Sequence, residues 1–420
     1  MNSVLIAIFV TVIAFIVSTV MFPPVLWFAR NHDIVDNPNA RKLQRFPVPV
    51  LGGLAVFTGI LTGVIALSFF KIDTEALWGL VAMAIMLAVG TWDDISDLSP
   101  YLRFLIEIAV VLGFVLITGI YIDDFHGLGG VYSLPQWLAI SLSVFAGVGV
   151  INAVNLIDGV DGYSSGYGML ACGCFSILFW YVGATEMACY SMIVFGALLP
   201  FFLHNVFGIK SKMFIGDGGT LMLGMLMTVL SFYALSSKTE CDPFEQSGLS
   251  LTALILAIGC IPVFDTLRVM IMRMLRGRSP FQPDKTHLHH LFIDMDFSHL
   301  GAALSILFIN TSVLVVLLVA WFCGASIDVQ FWIVMALGII VTFGFYKFMK
   351  IQQGGGELDE EGYPKGTRLW HVVCKIGDIS QLERTRIWRI LRYDMDGPMM
   401  FGNLYKKPSN LIEKLSDKKR

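Results

Sequence analysis

Three stretches of this chain place hard oxygen donors at spacings suited to a cation bound to phosphate. The first is Trp92-Asp93-Asp94-Ile95-Ser96-Asp97. If a helix continues through it, Asp93 and Asp97 share a face while Asp94 points about 100° away. Such a cluster can hold a metal-bound diphosphate or present one carboxylate as a base; the plainer use is an acidic loop capping the next helix. Arg103, ten residues beyond Asp93, is a natural phosphate partner. In the second stretch Asn152, Asn155, Asp158 and Asp161 recur at a spacing of three, with Gly159 and Gly162 among them. Neighbours at that spacing lie on one slowly rotating helix face, and the glycines let the backbone approach a ligand. Ordinary helix capping accounts for one Asn and one Gly, not for two Asn and two Asp in register. The third runs from Lys212 to Thr220, where Gly216, Gly218 and Gly219 surround Asp217 at an expected helix start. Backbone N–H groups there can meet phosphate, and Asp217 serves as a cap or a metal ligand.

A fourth stretch, Arg273 to His299, carries Arg276, Arg278, His287, His289 and His290. It lacks cysteine and is rich in cations, so an anionic ligand, phosphate or sugar phosphate, suits it better than zinc. His32, His126 and His204 stand alone and read as structural or surface residues; Asn205, beside the last, lies just ahead of the third motif.

The elements that must position these residues follow from composition. Of 420 residues 56% are hydrophobic and only 15% charged, and the mean hydropathy is +0.72. Soluble domains carry about a quarter charged residues, so the chain is a membrane protein. The same figures exclude a disordered chain, a collagen and a disulfide scaffold. A net charge of -3 excludes binding to nucleic acid through bulk positive charge. The seven cysteines show no paired spacing and read as small core hydrophobes.

A span needs about 20 mainly apolar residues. That rule predicts an all-α polytopic protein with eleven transmembrane helices, near 3-29, 48-70, 76-92, 104-121, 136-153, 163-182, 188-206, 218-236, 248-270, 300-322 and 329-349. The run Val4 to Ala29 exceeds a signal-peptide core and should stay as the first span. Loops after the odd-numbered spans hold eleven Lys and Arg, against Lys71 and Lys238 after the even ones up to the tenth. The positive-inside rule then places the N-terminus outside and the odd loops in the cytoplasm. Every dense polar motif falls on that cytoplasmic face. The expected division is a transmembrane catalytic domain, 1-350, and a cytoplasmic tail or small domain, 351-420. The tail opens on Gly354-Gly355-Gly356 and holds an Arg-rich, amphipathic-looking stretch over 382-393. There is no internal repeat. A polytopic secondary transporter is the rival reading, but transporters gather their charges near the midplane, often in repeated halves.

Taken in order, these residues resemble the polyprenyl-phosphate N-acetylhexosamine-1-phosphate transferase family. The resemblance runs from Asp36-Asn-Pro-Asn-Ala-Arg41-Lys42 through Pro47-Val-Pro49, Gly52-Gly53, DDxxD, NxxNxxDGxDG and FxGDxG to the HxHH loop. The run SPFQPDKTHLHHLF is more similar to the branch that transfers N-acetylglucosamine phosphate for O-antigen, common-antigen or teichoic-acid linkage than to the peptidoglycan branch. The resemblance implies eleven spans at the bacterial inner membrane and a cytoplasmic site. It implies transfer of a sugar 1-phosphate from a UDP-N-acetylhexosamine to undecaprenyl phosphate, releasing UMP, with Mg²⁺ or Mn²⁺ as cofactor; a homodimer stays open. Carried over, Asp217 and Asn155 are metal ligands, and Asp93 or Asp94 deprotonates or orients the lipid phosphate. Asp158 and Asp161 hold the nucleotide, and Arg103 with the Arg276 to His290 loop grips diphosphate or sugar; Asp97, Asn152 and Asn205 are further substrate contacts. Two positions depart from the family pattern: Arg103 stands where lysine is usual, and Gln44 where histidine is frequent.

Overall fold

The computed structural model describes residues 3–37, 47–70, 74–239, 242–280, 286–295, 297–353, 388, 390–392 and 395. Its helices are α1 (Ser3–Asn31), α2 (Gly52–Ser68), α3 (Thr74–Ser96), α4 (Pro100–Thr118), α5 (Gln136–Leu156), α6 (Tyr163–Tyr181), α7 (Thr185–Phe207) and α8 (Gly216–Ala234). There follow α9 (Asp242–Ser247), α10 (Leu251–Ile258), α11 (Cys260–Leu275), α12 (Leu288–Ile293), α13 (His299–Phe322), α14 (Ile327–Ile339) and α15 (Phe345–Gln353). A two-residue antiparallel ribbon, β1 (Val35–Asp36) with β2 (Val48–Pro49), is the only sheet among the described residues.

The chain is an all-α, multi-pass membrane protein. Seven helical stretches are long and apolar enough to cross a bilayer, eight if α10 and α11 form one bent span. The eleven expected spans fall, in order, on α1 to α8, on α10 with α11, on α13, and on α14 continuing into α15. α2, with 17 residues, falls short of the length, and α6 and α8 owe much of their sequence to Gly, Ser and Thr. Interior helices need no lipid-compatible surface. α8 is buried along nearly its whole length, packed against α3, α5 and α2.

Small residues permit that packing. A methyl group on Gly90 of α3 would lie 2.4 Å from the Asp217 carbonyl oxygen, and one on Gly53 of α2 would lie 2.4 Å from Gly219 Cα. The start of α8 is also stitched to the α2 entry: Phe214 N–H donates to Pro49 O at 2.8 Å, Gly52 N–H to Phe214 O at 2.9 Å and Gly53 N–H to Ile215 O at 2.8 Å. Motifs far apart in sequence thus meet at one end of the bundle.

The ninth expected span is not straight. α10 and α11 meet at 73° around Gly259. Asn310 of α13 fills the break, its Oδ1 accepting from Ile261 N–H at 3.0 Å and its Nδ2 donating to Ala257 O at 3.3 Å and Ile258 O at 3.2 Å. Backbone groups freed inside a membrane protein must find such partners.

Polar loop residues sort to the two ends of the bundle. At one, Asp123 accepts from Ser237 N–H at 2.7 Å, Lys238 donates to Thr118 O at 2.8 Å, and Asp328 accepts from Gly129 N–H at 2.7 Å. At the other, Arg30 donates to Lys210 O and the four motifs gather. Cys172, Cys189 and Cys260 are buried and Cys323 exposed, all as free thiols. Most of the 351–420 tail, with Arg384, Arg386 and Arg389, lies outside the described residues, as do Arg41, Lys42, Gln44 and residues 281–285. Of the tail, the Trp388 ring packs edge-on against Phe207 of α7, centroids 4.8 Å apart.

Candidate active site

The helix carries through the first motif but stops short of its last carboxylate. α3 ends at Ser96, and Asp97 turns away with φ 47°, exposed. Asp93 and Asp97 therefore do not form the shared face that an unbroken helix would give. Asp93 closes the turn, its Oδ1 accepting from Leu98 N–H at 2.7 Å, while Oδ2 accepts from Arg103 Nη1 at 2.9 Å. Asp94 points to the opposite wall, where it accepts from the backbone N–H groups of Asp217 at 3.0 Å and Gly218 at 3.2 Å. It caps α8. The glycine-rich helix start expected to cradle phosphate is thus occupied by a carboxylate of the chain itself, and its glycines serve close helix packing: a methyl on Gly216 would lie 2.6 Å from Asp94 Oδ2.

Asn155, at the end of α5, donates its amide to Asp217 Oδ1 at 2.8 Å and to Thr220 Oγ1 at 2.8 Å. Asp217 Oδ2 lies 3.8 Å from Arg103 Nη1, and its side chain is 41% exposed. Asp93, Asp94, Arg103, Asn155 and Asp217 therefore form one continuous polar network drawn from α3, α4, α5 and α8. Asn152 is one turn behind it, donating to the buried Glu107 carboxylate of α4 and to Val148 O at 2.9 Å. Both its amide hydrogens serve the protein.

A second network braces the loops. Asp161 pairs with Lys212 and lies 3.0 Å from His299 Nδ1. Burial works against its charge, but the hydrogen bond from His299 and the Lys212 ammonium hold its carboxyl below the usual range. Asn205 is buried, accepting from Gly162 N–H at 2.7 Å and donating to Met213 O at 3.0 Å. These two residues, expected to touch substrate, tie the α5–α6 loop to the α7–α8 loop. Asp158 accepts from Ser164 Oγ at 2.6 Å and keeps an exposed face, so it remains open to a ligand.

The histidines form a third group. Asp265 of α11 accepts from His287 Nδ1 at 3.0 Å, Leu288 N–H at 3.1 Å and Arg268 Nη2 at 2.7 Å. Arg268 is buried and stacks over Tyr346 of α15, 4.0 Å from the ring centroid. His289 is buried against Gly159, whose added methyl would lie 2.1 Å from its Nε2. Burial first, then the neighbouring His290 and His287, push its pKa well below the ordinary histidine value. His287 and His289 thus anchor the loop, leaving His290 partly accessible and Arg276 and Arg278 exposed.

Comparison with known proteins is decisive about lineage. The model of the family described as glycosyl transferase family 4 matches residues 76–235. The "Probable undecaprenyl-phosphate N-acetylglucosaminyl 1-phosphate transferase" of Bacillus subtilis (strain 168) is 30% identical over 376 residues, 87% of this chain and 97% of that protein. The chain belongs to glycosyl transferase family 4. Another member, the "Undecaprenyl-phosphate alpha-N-acetylglucosaminyl 1-phosphate transferase" of Salmonella typhi, is 27% identical over 319 residues, 74% of this chain and 82% of that protein. The protein of the same name from Escherichia coli O157:H7 is 28% identical over 276 residues, 64% of this chain and 72% of that protein.

The family 4 match spans α3 to α8, the helices that build the first network. Among the described residues no three of His, Cys, Asp and Glu converge tightly enough to hold a metal alone. Yet Asp93, Asp217 and Glu107 surround a single guanidinium, Asp94 adjoins Asp217 through the Asp217 backbone N–H, and Asp217 is accessible. That excess of hard anionic oxygen fits Mg²⁺, which binds through one or two carboxylates and completes its shell with water and substrate phosphate. Glu107, Asp265 and Arg268 carry no motif and were not singled out by spacing. Their signal is position: each is an ionisable residue within an apolar span, where charge is costly. Lys212, Thr220 and His299 enter as partners of motif residues.

Proposed function

We propose that this family 4 member transfers N-acetylhexosamine 1-phosphate, with GlcNAc as the sugar, from a UDP-sugar to undecaprenyl phosphate, releasing UMP and starting a cell-envelope polysaccharide. The observation that carries the reading is the meeting of Asp93, Arg103, Asn155 and Asp217 from four helices at one end of the bundle. The relatives named for this transfer support it. The same reading has eleven crossings, the N-terminus outside, and the site facing the cytoplasm from the bacterial inner membrane, in line with the excess of Lys and Arg in the odd loops.

An oxygen of the lipid phosphate attacks the phosphorus that carries the sugar. The bond from that phosphorus to the UMP oxygen breaks, and UMP leaves with the electron pair. Two anions must approach, so positioning and charge neutralisation carry most of the rate. Mg²⁺, or Mn²⁺, held by Asp217 and Asn155 would supply Lewis-acid stabilisation of the phosphate oxygens. Arg103 offers a guanidinium that phosphate can recruit from Asp93, freeing that carboxylate to deprotonate or orient the lipid phosphate. Asp94, tied by two backbone donors, fixes the α8 start beside it. Asp158 and the accessible Arg276, Arg278 and His290 suit nucleotide and sugar phosphate. The acceptor is itself a nucleophile, so a single displacement suffices; trapping phosphate on Asp93 or Asp94 in a single turnover would overturn that step.

The break at Gly259 is a feature that transporters share. Asn310 satisfies it, however, and the acids sit at helix ends. Purified protein with undecaprenyl phosphate, Mg²⁺ and a panel of UDP-sugars should release UMP with UDP-GlcNAc. No Mg²⁺-dependent UMP from any donor would sink the transferase reading.

A further inference from the structure

Glu107 is the least expected charge at the site. It lies at the i,i+4 position to Arg103 on α4 and its side chain has no solvent exposure. Asn152 of α5 donates to its Oε2, and Oε1 has no hydrogen bond and lies 3.6 Å from Arg103 Nε. Arg103 is the one cation within ion-pair distance of it among the described residues. On its other edge the same guanidinium reaches Asp93 at 2.9 Å and Asp217 Oδ2 at 3.8 Å.

A flexible arginine beside three carboxylates has several places to go, and what selects one is the charge behind it. A carboxylate with no water contact cannot find another counter-ion, so it holds the guanidinium with Nε turned inward and Nη1 turned to the site. Asn152 in turn locks the carboxylate, since both its amide hydrogens are committed to α4 and α5 acceptors.

We propose that Glu107, backed by Asn152, is a positioning residue for the transfer proposed above: it aims Arg103 at Asp93 and Asp217 without touching substrate. Removing its charge should release Arg103 while leaving the bundle intact, because the partly exposed guanidinium keeps Asp93 and Asp217 as counter-charges and a glutamine oxygen can still accept from Asn152.

The test is a two-residue cycle on the full chain in lipid nanodiscs containing undecaprenyl phosphate, reading UMP release from UDP-GlcNAc. Glu107→Gln should lower kcat by about 10- to 100-fold, as misplaced catalytic groups do, with the UDP-GlcNAc KM little changed and the unfolding temperature equal to or above wild type. Glu107→Asp should recover part of the loss. Glu107→Gln added to Arg103→Lys should lower kcat no further than Arg103→Lys alone, the signature of two residues acting as one. Full activity of Glu107→Gln would overturn the proposal. So would a loss of kcat that follows a lowered unfolding temperature, or losses that multiply in the double variant. A silent wild type would instead remove the transfer reading, and the positioning role with it.

Discussion

Asp217 faces two ways: one oxygen takes the Asn155 amide, the other looks across accessible space to Arg103. An accessible carboxylate contributes little to folding, so Asp217→Asn should lose roughly 100-fold or more of the UMP-releasing activity while its unfolding temperature stays near wild type. His289 gives the opposite kind of prediction. Its pKa is depressed in the folded protein, so the unfolded chain takes up a proton below about 6.5 that the native state refuses. Stability should fall as pH drops through that value, by up to about 1.4 kcal/mol per pH unit. Unfolding curves between pH 7.5 and 5 should show a slope that His289→Gln flattens; Asp161, held low, loses its contribution only below the ordinary carboxylate value of 3.8. At this scale the sequence was most readable where residues came in motifs. Asp93, Asn155 and Asp217 announce themselves by spacing, whereas Glu107 and Asp265 each stand alone in an apolar run and acquire meaning only from a partner on another helix. Spacing was also silent on partners: Asp161 is met by the Lys212 and His299 side chains, and Asn205 by the backbone of Gly162 and Met213.

Helices were legible as apolar runs, their ends and bends less so. A single glycine is tolerated in many straight helices, and Pro262, three positions past Gly259, signals a break without setting its 73° angle. The bend depends on Asn310, half a hundred positions downstream, whose side chain replaces the missing helical bonds. Asn310→Leu should therefore leave three buried backbone groups unpaired, costing about 1–3 kcal/mol for each group that stays unsatisfied, visible as a clear drop in thermal unfolding in detergent. A variant as stable as wild type would mean that the break closes its own bonds. The end of α3 was likewise not fixed by its residues. Asp97 takes a left-handed backbone that Asp tolerates better than most residues, and the i,i+4 pairing with Asp93 ends there.

For the whole molecule, counting loop charges separated the polar residues into two sets, and the fold gathers each set at its own end of the bundle. Sidedness can be measured directly. In a cysteine-free background of intact cells, a cysteine at Arg278 should resist a membrane-impermeant maleimide, and one at Lys238 should react with it. Reversed labelling would invert the topology. What counting could not supply was the layering: which helices face lipid and which are enclosed.

That layering has a mechanical consequence. α8 threads through gaps no wider than a glycine, hemmed by Gly53, Gly90 and Ile151, and carries Asp217 at its tip with Asp94 fastened to its first N–H groups. It has no room to slide, tilt or rotate without prising the bundle apart. It acts as a fixed post. On the transfer proposed above, a long lipid must enter and a nucleotide must leave around this post while the acids at its tip stay still.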